Sequence, residues 1–270
     1  MTFADLFTAW APTPWGIGLP ALCAAAYLVA VLRLRRRGIR WSRWRSLWWL
    51  LACLLAVWTL CGAPWALRTE SDWMDGLAVG MAAAVLPLGA ALADPVRLAE
   101  TVRGRPVRFL RGRIARAFMY PGVSSALSAL FLTIAMTSRW YSPHGQTPEL
   151  AWLLLLLGAF VTGMLVNLPL FGEDLLPVWA TPGVKTLIAF LDGIFDAIPG
   201  IVVMLLVNMK TGGALLATAE VIGIPMIAAT LVQWVRADAA TTRVIDAELD
   251  AEEPGDGLWW QSDPRFQDRY

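Results

Sequence analysis

Polar side chains are sparse along most of this chain and gather in a few short stretches. Between them run seven apolar segments, near 14–32, 47–66, 74–93, 117–137, 151–171, 186–208 and 214–235. About 20 apolar residues rising ~1.5 Å each cross a hydrocarbon core of roughly 30 Å, so each segment can span a bilayer as a helix. A membrane β-barrel would instead show alternating strands of ~10 residues. Segments such as LWWLLACLLAVW and ELAWLLLLLGAFV do not alternate. The pattern predicts an all-α, polytopic membrane bundle of seven transmembrane helices.

The charges orient it. Residues 33–45 carry seven arginines and residues 94–116 carry seven more. Lys185 and the tail arginines Arg236, Arg243, Arg265 and Arg269 fall on the same side, leaving only Arg68, Arg139 and Lys210 on the other. Because basic loops stay cytoplasmic, the N-terminus is expected outside and the C-terminus inside. Tryptophans mark both boundaries, since an indole with one polar N–H settles at headgroup level. Trp10, Trp15, Trp65, Trp73, Trp140 and Trp152 fall at the outer one, and Trp41, Trp44, Trp48, Trp49, Trp179 and Trp234 at the inner one. No basic residue precedes the first apolar run, as a cleavable leader would need, so that run is expected to stay as a helix.

Composition agrees: 57% of residues are apolar and 16% charged, against roughly 25% charged in a soluble domain. Basic patches beside a membrane signal topology and anionic-lipid contact rather than nucleic acid. Membrane lipids are the expected surroundings, with no nucleic-acid partner. The expected organisation is a transmembrane domain over 1–236 and an acidic cytoplasmic tail over 237–270. The tail should continue the last helix to about Glu252, where Glu253-Pro254-Gly255 stops it, and then be flexible. No internal repeat is visible, which weakens an inverted-repeat transporter.

Ionisable residues inside spans default to functional hypotheses. Four qualify: Asp75, Asp192, Asp196 and Glu220. Asp192 and Asp196 are four apart and share a helix face. The short connection Met209–Gly213 makes the last two spans antiparallel neighbours, which brings Asp196 and Glu220 within about one turn in depth. No lysine or arginine lies inside any span to neutralise them, so each needs a proton, a water-filled cavity, a bound cation or a hydrogen-bonded partner. Asp72, near Arg68, is a further candidate or a surface acid. Pro87, Pro199-Gly200 and Gly223-Ile224-Pro225 interrupt these spans, through kinked packing or by freeing backbone carbonyls. Soft donors are Met74, Met81, Cys53 and Cys61, which suit cuprous ions and equally serve as core filler. The one histidine, His144, lies in a loop, and no CxxC or HExxH motif occurs. An enzyme is not expected, because the spans hold no nucleophile–base pair.

The last span and its exit, GGALLATAEVIGIPMIAATLVQWVRADAATTRVIDAEL, resemble the end of the bacterial CtaG family of cytochrome c oxidase assembly factors. YLVAVLRLRRRGIRWSRWRSLWWLLA, GMAAAVLPLGAAL and PLFGEDLLP fit too, so the resemblance runs from about Tyr27 to Glu248. It implies a seven-span protein of the bacterial plasma membrane, oxidase subunits as partners, and a role in oxidase maturation or copper handling. Glu220 matches the family's acid. The family's histidines fall on Asp72, Gly76, Trp152, Leu156, Gly158 and Asp196, none of which is histidine. Copper therefore does not carry over with the resemblance, and the expected member is a scaffold that has lost its imidazole ligands. The alternative is a transporter or ion carrier working through Asp196 and Glu220.

Overall fold

The computed structural model describes residues 4–109, 112–120, 122–171 and 181–252, and every element among them is helical. In chain order the helices are α1 (Asp5–Thr8), α2 (Pro14–Arg36), α3 (Arg43–Cys61), α4 (Ala63–Ala66), α5 (Trp73–Gly80), α6 (Leu86–Leu92), α7 (Pro95–Arg103), α8 (Arg113–Phe118), α9 (Val123–Thr137), α10 (Glu149–Phe171), α11 (Pro182–Leu206) and α12 (Met209–Glu252). A π-helical turn, Met81–Val85, joins α5 to α6.

Six of these stretches are long and apolar enough to cross a membrane: 14–36, 43–66, 73–92, 149–171, 182–206 and 209–249. The fourth expected span is shorter than the sequence pattern implied. Instead of one helix from 117, α8 ends at Phe118 and α9 starts at Val123. Gly122, with φ +85°, breaks the path between them. The 15 residues of α9 rise only ~22 Å.

The local starts follow from capping. Thr13 accepts from the Gly16 amide, and Pro14 occupies the first position of α2, where a missing N–H costs nothing. Arg33, Arg35 and Arg36 occupy its last turn, complementing the negative end of the helix dipole. Asp94, at φ +52°, caps α7 by accepting from the Arg97 amide at 3.2 Å. Pro87 lacks the N–H that would close a regular turn, and the π-helical turn ends two residues before it, at Val85.

The α5–α6 unit is the axis of the bundle. It packs on α12 through α5, on α10 through the π turn and α6, and on α3 through α6. Met74, Val79 and Ala91 in it are fully buried. Small residues allow the close crossings. A Cβ on Gly163 of α10 would overlap the Ala83 carbonyl and reach within 2.7 Å of the Pro87 ring. α11 and α12 form an antiparallel pair in which Gly200 lies against Leu216 and Gly212 against Met204.

The connecting segments meet at two opposite ends. At one, Arg37 donates to the Val102 carbonyl at 2.7 Å, and Arg45 pairs with Asp94 at 3.5 Å. There Trp41 donates to the Tyr27 hydroxyl (3.0 Å), which donates to the Ala93 carbonyl (2.9 Å). At the other end the segments following α4, α9 and α11 converge. Trp10, Trp44, Trp140 and Trp234 are exposed, but Trp152 is only 1% exposed, so it is a core residue at this second end and not part of a lipid-facing belt. α12 runs unbroken through Pro225 and on to Glu252. Trp179, Glu253-Pro254-Gly255 and the final residues lie outside the described residues.

Candidate functional site

Two polar clusters hold all five candidate acids. The first sits where the segments after α4, α9 and α11 meet. Asp72 immediately precedes α5, and its Oδ1 lies 2.8 Å from His144 Nε2. Its Oδ2 accepts from Asn208 Nδ2 at 3.1 Å, and its backbone carbonyl accepts from Thr211 Oγ1 at 2.7 Å. Asn208 also accepts from the amides of Lys210 and Thr211, closing the turn into α12. Asp72, read from the sequence as a candidate functional acid or a surface acid near Arg68, sits at a junction where it ties two loops to α5.

One turn further in, Asp75 is 1% exposed and accepts from the Tyr141 hydroxyl at 3.1 Å. Burial, then the Asp75 charge, pushes the Tyr141 phenol up, so it remains a donor. The Arg68 guanidinium lies 3.9 Å from the Trp65 ring centroid and 5.9 Å from that of Trp152. Burial lowers its pKa, while Asp75 and Glu149 oppose the shift. Glu149 in turn accepts from Trp15 Nε1 at 2.6 Å. Gly76 allows the whole arrangement, because a Cβ there would overlap the Thr211 carbonyl oxygen.

The second cluster lies deeper, between α9, α10, α11 and α12. Asp192 and Asp196 share one cavity of about 20 Å³ with Ser128, Asn167, Ala219 and Gly223. Asp192 also lines a neighbouring cavity of about 10 Å³ with Ser124 and Ser125. Such volumes admit about one water each. Ser125 hydrogen-bonds Asp192, which is 4% exposed, yet Asp192 Oδ1 has no hydrogen-bond partner among the described residues. Glu220 interacts electrostatically with Asp196 from α12. Asp192 and Asp196, four apart on α11, line the same cavity, and Glu220 acts electrostatically on Asp196 alone of the two.

Sequence reasoning missed Ser125, Ser128, Thr162 and Asn167, although small polar residues inside apolar spans are a usable signal. It also missed Tyr141, Asn208 and Thr211, which lie in or beside loops and become part of the site only through tertiary contact.

The soft-donor candidates have separate surroundings. Cys61 is 3.5 Å from the Thr13 amide at the start of α2. Cys53 lines an apolar cavity of about 320 Å³ with Cys23, Leu86 and Leu156. Met74 and Met81 are buried, Met81 at the start of the π turn. Among the described residues, no three His, Cys, Asp or Glu side chains are placed to hold a metal. The donor set does not fit a cuprous ion: Asp72 is hard and already paired, Gly76 has no donor, and Trp152 is buried beneath Arg68.

Compared with known proteins, residues 25–237 match the family described as cytochrome c oxidase caa3 assembly factor. No curated protein and no solved structure matches the chain.

Proposed function

The chain belongs to the cytochrome c oxidase caa3 assembly factor family, and we propose that within it this protein supports oxidase maturation as a membrane scaffold that has lost copper ligands. The observation that carries this is the cluster around Asp72 and Asp75. The family resemblance sets histidines at Asp72, Gly76 and Trp152, and here these positions serve a hydrogen-bonded loop junction, a backbone contact and a buried ring. Such a junction gives a rigid platform at one end of the bundle.

In this reading α9 is the fourth of seven spans and the bundle lies in the bacterial plasma membrane. Its N-terminus and the Asp72 cluster face outward, and the basic segments 33–45 and 94–116 face the cytoplasm. Local bilayer thinning accommodates the short α9 at modest cost. The transmembrane domain ends near residue 236, and the acidic continuation of α12 stands in the cytoplasm. The partners are oxidase subunits, and the protein turns over no substrate. The carrier alternative is less well supported, since the cavities beside the intramembrane acids have room for about one water each.

Two measurements test the scaffold. Affinity-tagged chain is isolated from host membranes in mild detergent, and oxidase subunits are expected to co-purify. Membranes lacking the chain are expected to hold less assembled oxidase. Copper measured on the purified protein under reducing conditions should be far below one ion per chain. Stoichiometric copper, or normal oxidase levels without the chain, would overturn the proposal.

A further inference from the structure

The 20 Å³ cavity between α9, α10, α11 and α12 has the donor chemistry of a site, and it is remote from the Asp72 cluster. Its polar lining is all oxygen or amide: Asp192 and Asp196 from α11, Asn167 from α10 and Ser128 from α9. Asn167 uses Nδ2 on the Gly163 carbonyl at 2.9 Å, which leaves its amide oxygen as an acceptor. Ser128 donates its hydroxyl proton to Thr162 Oγ1 at 3.4 Å, which leaves its lone pairs facing elsewhere. Asp192 is 96% buried by the complement of its 4% exposure, and its Oδ1 lacks a partner among the described residues. Glu220 of α12 acts on Asp196 electrostatically but does not line the cavity. No lysine or arginine lines either cavity.

A buried carboxylate oxygen without a donor is costly. A cation held by several oxygens would remove that cost, and the chemistry of the lining selects which one. Soft cuprous ions prefer several sulfur or imidazole ligands, and this lining holds one thioether, Met226, against four hard oxygen-bearing side chains. Magnesium keeps several of its waters, and a cavity the size of one water has no room for them. Calcium takes six to eight oxygens; with one Asp192 oxygen already bonded to Ser125, the four side chains supply at most about five. We propose that Asp192, Asp196, Asn167 and Ser128 form an intramembrane binding site for one small, dehydrated monovalent cation of the sodium type. The ion links α11 to α9 and α10. This inference does not depend on the assembly role, and its test reads neither oxidase nor copper.

The experiment is equilibrium binding of radioactive sodium to the purified full chain in detergent, at constant ionic strength with choline as the balancing cation. The expected result is one saturable sodium per chain, displaced by unlabelled sodium and not by choline. Binding is expected to be lost in Asp192→Asn and in Asp196→Asn, which are close in size to the wild-type side chains. Asn167→Leu keeps the test open should either carboxamide variant fail to fold. It removes one neutral ligand and should weaken binding about tenfold, the equivalent of one interaction with a charged group. Absence of saturable sodium binding in the wild type would overturn the site. So would binding unchanged in a folded Asp192→Asn, Asp196→Asn or Asn167→Leu chain.

Discussion

Replacing Gly76 by alanine tests whether the approach of α5 to α12 positions the Asp72 cluster. The added Cβ would overlap the Thr211 carbonyl oxygen and stand 2.9 Å from the Thr211 carbonyl carbon and 3.0 Å from the Leu215 amide nitrogen. All three are backbone atoms, so no rotamer change can relieve the clash and the two helices must move apart. Forcing extra volume into a packed interface costs about 1–3 kcal/mol. Separation would also stretch the 2.7 Å bond from Thr211 Oγ1 to the Asp72 carbonyl, worth about 1 kcal/mol. Gly76→Ala should therefore destabilise by about 2–4 kcal/mol. Gly213→Ala is the control, because it lies on the partner helix α12 and a Cβ there meets nothing within 4 Å. That change should be neutral or stabilising by up to ~1 kcal/mol, through helix propensity alone. Reversible unfolding of both variants in mixed detergent micelles would measure the difference. A Gly76→Ala protein as stable as wild type, or equal losses in both variants, would refute the close-approach argument.

Tyr141→Phe should leave Asp75 without its phenol donor and cost about 1–3 kcal/mol in the same assay. Because the folded phenol is pushed up by burial and by Asp75, its contribution is whole below the ordinary phenol pKa of about 10 and declines as pH rises beyond it. Melting temperatures measured upward from pH 9 should therefore fall more steeply in wild type than in Tyr141→Phe. Asp72→Ala, which removes contacts to both His144 and Asn208, should cost about 1–2 kcal/mol. His144→Gln should cost under ~1 kcal/mol, since the histidine is 51% exposed and a surface ion pair contributes little. Equal losses in the two variants would show that the histidine pairing dominates. Ending the chain after Ala237 should leave the melting temperature unchanged, because every side chain from Asp238 to Leu249 is exposed. A clear drop would mean that this end of α12 packs on the bundle.

The hydropathy pattern alone determined that the chain is a bundle of long apolar helices, because burying an unpaired backbone in lipid leaves helices as the economical solution. It also determined which acids are out of place, and the four-residue spacing and short α11–α12 connection placed Asp192, Asp196 and Glu220 together. The split at Gly122 was not legible, since apolar character runs on across a left-handed glycine that changes direction without changing hydropathy. Trp152 carried the same local signal as a boundary tryptophan, and only the packing of α10 against Arg68 and the core made it an interior residue. The Asp72 cluster joins residues 72, 144 and 208, and no periodicity links loops so far apart. Periodicity reports which face of a helix avoids water; which faces and loops then meet depends on where small residues such as Gly76 and Gly163 let backbones touch, and that is decided in three dimensions.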